Sequence, residues 1–173
     1  MAAKPTRRVV LAAAAILPLA AVSGCGGADV LATPPSPAAD VVVLREAITA
    51  EQLMITHYTA VLHEAGAAGS LAAALDSLLA EHRAHLAQLR SRLVVPAGGP
   101  PAPRTRPSPT ATVPATASGG VAFLRAAEQA AATAMLSRLR GAPASLAQLF
   151  ASIGASEATH VPVLDAAAAR IAP

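Results

Sequence analysis

Ser156-Glu157-Ala158-Thr159-His160, close to the C-terminus, sets a glutamate and a histidine three positions apart. On a helix this spacing points both side chains off one face, where they can grip a single ion. The step is short enough to arise by chance, so its weight depends on partners elsewhere in the chain. Metal sites in helix bundles are built from such residues projecting inward from facing helices.

The surrounding composition favours helices. Hydrophobic residues make up 54% of the 173-residue chain and aromatics only 2%. Ala and Leu predominate, both strong helix formers, and nothing alternates convincingly with period two, so an all-α fold is expected. The formal net charge of +3 is supplied by Lys4, Arg7 and Arg8, because ten Arg from Cys25 onward balance the 10 Asp plus Glu. A neutral body carries no basic footprint, which argues against nucleic acid as a partner.

Four helical segments can be placed. Asp40 can cap a first helix running to about Ala65, stopped by Gly66 and the Gly69-Ser70 turn. Ser70 can cap a second from Leu71 to about Leu93. Pro96–Gly120 is rich in Pro, Thr, Ser and Gly and cannot be regular helix. A third helix is expected from Val121 to about Arg140, and a fourth, capped by Ser145, from Leu146 to about Ala169. Pro162 falls inside the fourth as an expected kink or break. Short turns within each pair predict two antiparallel hairpins. A bundle helix of about 22 residues is near 33 Å long, and an extended Pro-rich crossover spans that easily at about 3.1 Å per residue. The expected fold is therefore a four-helix bundle of two hairpins joined by one long crossover, over residues 40–170, with two hairpins on a loose linker as the open alternative.

Helical wheels then show which ionisable side chains share the apolar stripes. Glu51 lies among Leu44, Ala47, Met54, Tyr58 and Val61; His82 and His85 lie among Leu75, Leu78 and Leu89. Glu128 falls between Leu124 and Met135, and Glu157 and His160 between Ile153 and Leu164. Glu46, His57 and Glu64 fall on the outer face of the first helix and are expected to be solvated. Glu81 lies about 100° from the stripe centre of the second and reads as a flank residue. Every helical Arg lies off the stripe centres. Three buried carboxylates without a nearby Arg or Lys call for a counter-charge. A metal ion held by Glu51, His82, His85, Glu128, Glu157 and His160 supplies one. Those donors suit iron or manganese, or zinc with fewer ligands. A metal-free core in which Glu51 hydrogen-bonds a histidine is the open alternative. Met54, Met135 and Tyr58 read as packing, although Tyr58, one heptad from Glu51, can also sit beside a metal.

The N-terminus reads as an export segment. Residues 1–24 combine a basic start with an apolar run, Val9–Val22, too short for the roughly 20 residues of a membrane-spanning helix. Val22-Ser23-Gly24-Cys25 resembles the bacterial lipobox, which implies lipidation of Cys25, a membrane anchor and a place at the outer face of the cytoplasmic membrane. Thr6-Arg7-Arg8-Val9-Val10-Leu11 is similar to a twin-arginine export motif, and Sec export stays equally open. Residues 25–39, with Pro34, Pro35 and Pro37, read as a flexible tether. With Cys25 lipidated, the mature chain has no disulfide to hold its fold.

Taken in order, Glu51, His82-Arg83-Ala84-His85, Glu128 and Glu157-Ala158-Thr159-His160 resemble the ligand series of ferritin-like proteins, in particular the small exported lipoproteins of high-GC Gram-positive bacteria. That series runs Glu, Glu-x-x-His, Glu, Glu-x-x-His, and His82 stands where the family has Glu. The resemblance implies oxidase, peroxidase or iron-handling chemistry if iron is bound, with Glu residues bridging and His residues terminal. The substitution at His82 removes a bridging carboxylate that a di-iron centre uses and leaves a mononuclear or asymmetric site open. No nucleophile–base pair, phosphate loop or Cys-rich zinc motif accompanies it, so enzymatic activity is open. A metal-free envelope binding or scaffold module is the competing expectation, with protein partners unread and a homodimer compatible with the sequence. An adaptor acting through the His57 and Glu64 face is a third.

Overall fold

The computed structural model describes residues 37–94 and 112–171, all within one unit, Pro34–Pro173. The export segment, Cys25, nearly all of the tether and most of the crossover lie outside the described residues. The elements are α1 (Pro37–Glu64), α2 (Gly69–Arg92), α3 (Ala117–Ser137) and α4 (Ala144–Ile171), with a short 3-10 turn over Arg138–Gly141. They form an all-α four-helix bundle. None of the helices among the described residues is long and apolar enough to cross a membrane.

The helix starts differ from expectation in consistent ways. α1 begins at Pro37, three residues inside the expected tether, with Asp40 in its first turn rather than at its cap. Proline suits a helix start, where its missing N–H has no helical partner to lose. α2 starts after Ala68 without a side-chain cap, so Ser70 does not cap it. Gly66 and Gly69, at φ 69° and 56°, carry the turn from α1 in a left-handed conformation that glycine adopts without strain. α3 starts at Ala117, inside the expected crossover, because Thr116 accepts a hydrogen bond from the Gly119 N–H and caps it. α4 starts one residue before Ser145, and its early Leu146 and Ala147 N–H groups bond the Pro143 carbonyl.

Pro162 does not break α4, which runs unbroken to Ile171. Proline leaves the carbonyl four residues earlier without its helical donor. That carbonyl belongs to Ala158, and Ala158 and Pro162 are both exposed. Water can serve the freed oxygen.

Two apolar clusters define the topology. One joins the start of α1 (Leu44, Ala47), the end of α2 (Leu89), the end of α3 (Met135) and the start of α4 (Leu146, Phe150, Ile153). The other joins the opposite ends, with Val61, Leu71, Leu75, Val121, Leu124 and Leu164. Helices α1 and α4 therefore run one way and α2 and α3 the other. Leu93 packs with the first cluster and Val113 belongs to the second, so the connection between α2 and α3 joins opposite ends of the bundle. Helices approach closely where side chains are small: a Cβ on Gly120 of α3 would meet Val61 Cγ1 of α1 at 2.8 Å. Between the two clusters lies a band of each helix that neither contains.

Candidate metal centre

That band is polar. Glu51 follows Ala47 and precedes Met54; His82 and His85 lie between Leu79 and Leu89; Glu128 lies between Leu124 and Ala132; Glu157 and His160 lie between Ile153 and Leu164. Each occupies its helix's apolar stripe, so the packing that buries the leucines buries these six too, none more than 8% exposed. No Lys or Arg is buried among the described residues.

Four of the six join in one hydrogen-bonded series. His82 donates from Nδ1 to Glu51 Oε2 at 2.8 Å and from Nε2 to Glu128 Oε1 at 2.9 Å. His160 Nδ1 lies 3.0 Å from the same Glu128 oxygen, which also accepts from the Tyr58 hydroxyl. His85 Nδ1 stands 3.4 Å from Glu51 Oε1. The rings of His82 and His160 meet edge to face at 5.2 Å, and those of His85 and His160 are parallel at 6.4 Å. Two groups of three bring one ligand atom per residue within 4.8 Å of one another: Glu51–His82–His85 and His82–Glu128–His160. Glu157 belongs to neither. It is buried alongside, and its Oε2 has no partner.

The electrostatics follow from these bonds. Burial opposes charge on Glu128, yet the donors from His160, His82 and Tyr58 outweigh it and bring its carboxyl down to about 2. Burial likewise opposes charge on His82, and its bonds to Glu128 and Glu51 raise it to about 9. Glu51 is lowered against its burial by His82 and His85. His160 is raised despite its burial, chiefly by Glu128. Glu157 has no such help: burial, then the charges of Glu51 and Glu128, push it up to about 8. Free of metal at neutral pH, an imidazolium on His82 and a proton on Glu157 reduce the layer's negative charge. A cation entering it displaces protons. Buried oxygens without partners, Glu51 Oε1, Glu128 Oε2 and Glu157 Oε2, remain as further acceptors.

Two corrections accompany the site. Glu81 is exposed, as a flank residue should be, but its Oε2 lies 3.0 Å from His160 Nε2 and accepts from Ser156 Oγ at 3.2 Å. The bond from His160 holds its carboxyl below the usual range. Its sequence signal was weak: a glutamate beside His82, off the stripe, with no hint that α4 packs along that flank. His57 is not solvated but 7% exposed, its ring edge-on to Phe123 of α3 at 4.8 Å, and burial lowers its pKa. An adaptor surface through His57 therefore loses that residue, while Glu64 stays exposed. Tyr58, read as packing, also bonds Glu128.

No family model, no curated protein and no solved structure matches this chain.

Proposed function

We propose that the chain is an exported, lipid-anchored bundle of ferritin-like type whose core binds a transition-metal ion through its buried Glu/His layer. The carrying observation is that layer itself: three glutamates and three histidines, all buried, with no buried Arg or Lys among the described residues and three carboxylate oxygens without a hydrogen-bond partner. Burying unpaired carboxylates costs several kcal/mol each in typical proteins, a cost that a cation offsets. Imidazole and carboxylate together suit iron, manganese or zinc. Bound there, the ion supplies Lewis-acid chemistry, and redox chemistry if it is iron or manganese. The chain's own residues hold it, exclude bulk water and accept or release a proton at Glu157 Oε2.

Elemental analysis of protein purified without chelator tests the reading. The expected result is near-stoichiometric metal and a melting temperature that falls on chelation and returns with Fe2+, Mn2+ or Zn2+. Ligand at a hundred times its Kd adds about 2.7 kcal/mol. Metal-free protein whose melting ignores all three ions would sink it. The anchor has its own test: Cys25→Ser should move the protein from the membrane fraction to the soluble exported fraction.

One observation favours a second reading, a metal-free envelope lipoprotein acting as a binding or scaffold module. His82 already bridges Glu51 and Glu128, so a proton on its ring does part of what a cation would do. The same elemental analysis separates the two.

A further inference from the structure

The two groups of possible ligands share His82, and a neutral imidazole has one lone pair to give. Their surroundings differ in a way that selects between them. In the His82–Glu128–His160 group, two inward nitrogens, His82 Nε2 and His160 Nδ1, converge on Glu128 Oε1 at 2.9 and 3.0 Å. The outward nitrogen of each ring meets a different carboxylate: His82 Nδ1 lies 2.8 Å from Glu51 Oε2, and His160 Nε2 lies 3.0 Å from Glu81 Oε2. Glu128 is itself held by the Tyr58 hydroxyl. In the other group, His85 has no hydrogen-bond partner at Nδ1 and stands 3.4 Å from Glu51.

Histidines that ligate metals almost always donate their second N–H to a carboxylate, a carbonyl or water, which fixes the tautomer and aims the lone pair. The first group has this arrangement complete, twice.

Resting on the metal-binding reading above, we infer that the centre is mononuclear, with His82 Nε2, His160 Nδ1 and the Glu128 carboxylate as its protein ligands. Glu51 and Glu81 are positioning residues that each accept the outward N–H of one ligand histidine. The set is two imidazoles and one carboxylate, suited to Fe2+ or Zn2+ with positions left open. Glu157 is buried beside this group with Oε2 unpartnered. Glu81 brings the only exposed member: its side chain is 47% exposed, on the flank of α2 that faces Ser156 and His160 of α4. His82, at the position where the ferritin-like series has Glu, becomes a terminal ligand, and the second metal position is lost with that bridge.

Co2+ is the probe, because its visible bands report its donors. Purified full-length protein should take up one Co2+ per chain. Glu81→Ala and Glu51→Gln should each weaken binding about ten- to a hundredfold while leaving stoichiometry and band positions unchanged. His85→Ala should leave the bands in place. Glu128→Gln should shift or abolish them, and circular dichroism of that variant should keep its helical signal. Two Co2+ per chain, bands displaced by Glu81→Ala, or bands lost in His85→Ala but kept in Glu128→Gln would each overturn the assignment while leaving metal binding standing. Wild-type protein that takes up no Co2+, Fe2+, Mn2+ or Zn2+ would remove the metal-binding reading and this assignment with it.

Discussion

His82 is the residue on which the core turns. Its two nitrogens tie α1 to α3 through the carboxylates of Glu51 and Glu128 in a dry layer. Replacing it by Glu writes the Glu-x-x-His step of the ferritin-like series into α2 but removes the cation that bridges Glu51 and Glu128. With chelator present, His82→Glu should lose about 3–5 kcal/mol of stability, the usual cost of leaving buried charge unpaired. Excess Mn2+ should return a large part of it, and urea unfolding under the two conditions measures both. An equal loss with and without metal would contradict a cation-holding layer. Glu157 sets the pH response. Its folded value of about 8 lies above the ordinary 4.5, so between those values the folded chain keeps a proton that the unfolded chain has released. Stability therefore falls as pH rises from about 4.5 to about 8. Glu157→Gln removes that loss: a gain of about 1–3 kcal/mol at pH 8.5 and little change at pH 4, read by urea unfolding with chelator.

At the scale of elements, two residues act in opposite senses. Gly120 lets α3 lie against α1, and any Cβ there presses on Val61 Cγ1 and, at 3.1 Å, on Ala65 Cβ. Valine has one strongly preferred rotamer in a helix and cannot swing aside. Gly120→Val should cost about 2–3 kcal/mol through overpacking, a loss visible in thermal melts, and a neutral result would show that the two helices can separate there. Pro162 is the reverse. It sits one turn past Glu157 on the exposed side of α4 and contributes nothing to the core. Pro162→Ala restores a donor for the Ala158 carbonyl and relieves the ring clash, with an expected gain of about 1–3 kcal/mol. The polar layer is untouched by that change, so Co2+ bands should not move.

For the whole molecule, the crossover is a constraint of reach. α2 has 24 residues, about 36 Å at 1.5 Å per residue. The connection to α3 must cover a similar length because it joins opposite ends of the bundle. Residues 93–116 are ample for this. Removing 97–106 leaves a segment that still reaches about 43 Å at 3.1 Å per residue. That deletion should leave the melting temperature and metal uptake nearly unchanged, whereas deleting 96–111 should disrupt the pairing of the hairpins. Equal tolerance of both would mean that the hairpins need not be joined in this order.

Much of this was legible in the chain because it depends on periodicity. A residue in the apolar stripe is buried with it, so Glu51, His82, His85, Glu128, Glu157 and His160 could be named as inward-facing from spacing alone. The Pro-rich interruption and the two short turns likewise fixed four helices in two hairpins. What only the tertiary structure decided lies at the seams between helices, where two flanks meet and neither sequence contains the other. His57 reads as outer-face on the wheel of α1, yet α3 brings Phe123 over it and buries it. Glu81 reads as a flank, yet α4 brings His160 within 3.0 Å. The Glu157-Ala158-Thr159-His160 turn announces one face of one helix. Which nitrogen of His160 looks inward, and which carboxylate holds it there, follows from how α2 and α4 pack, a relation between distant residues that no local pattern encodes.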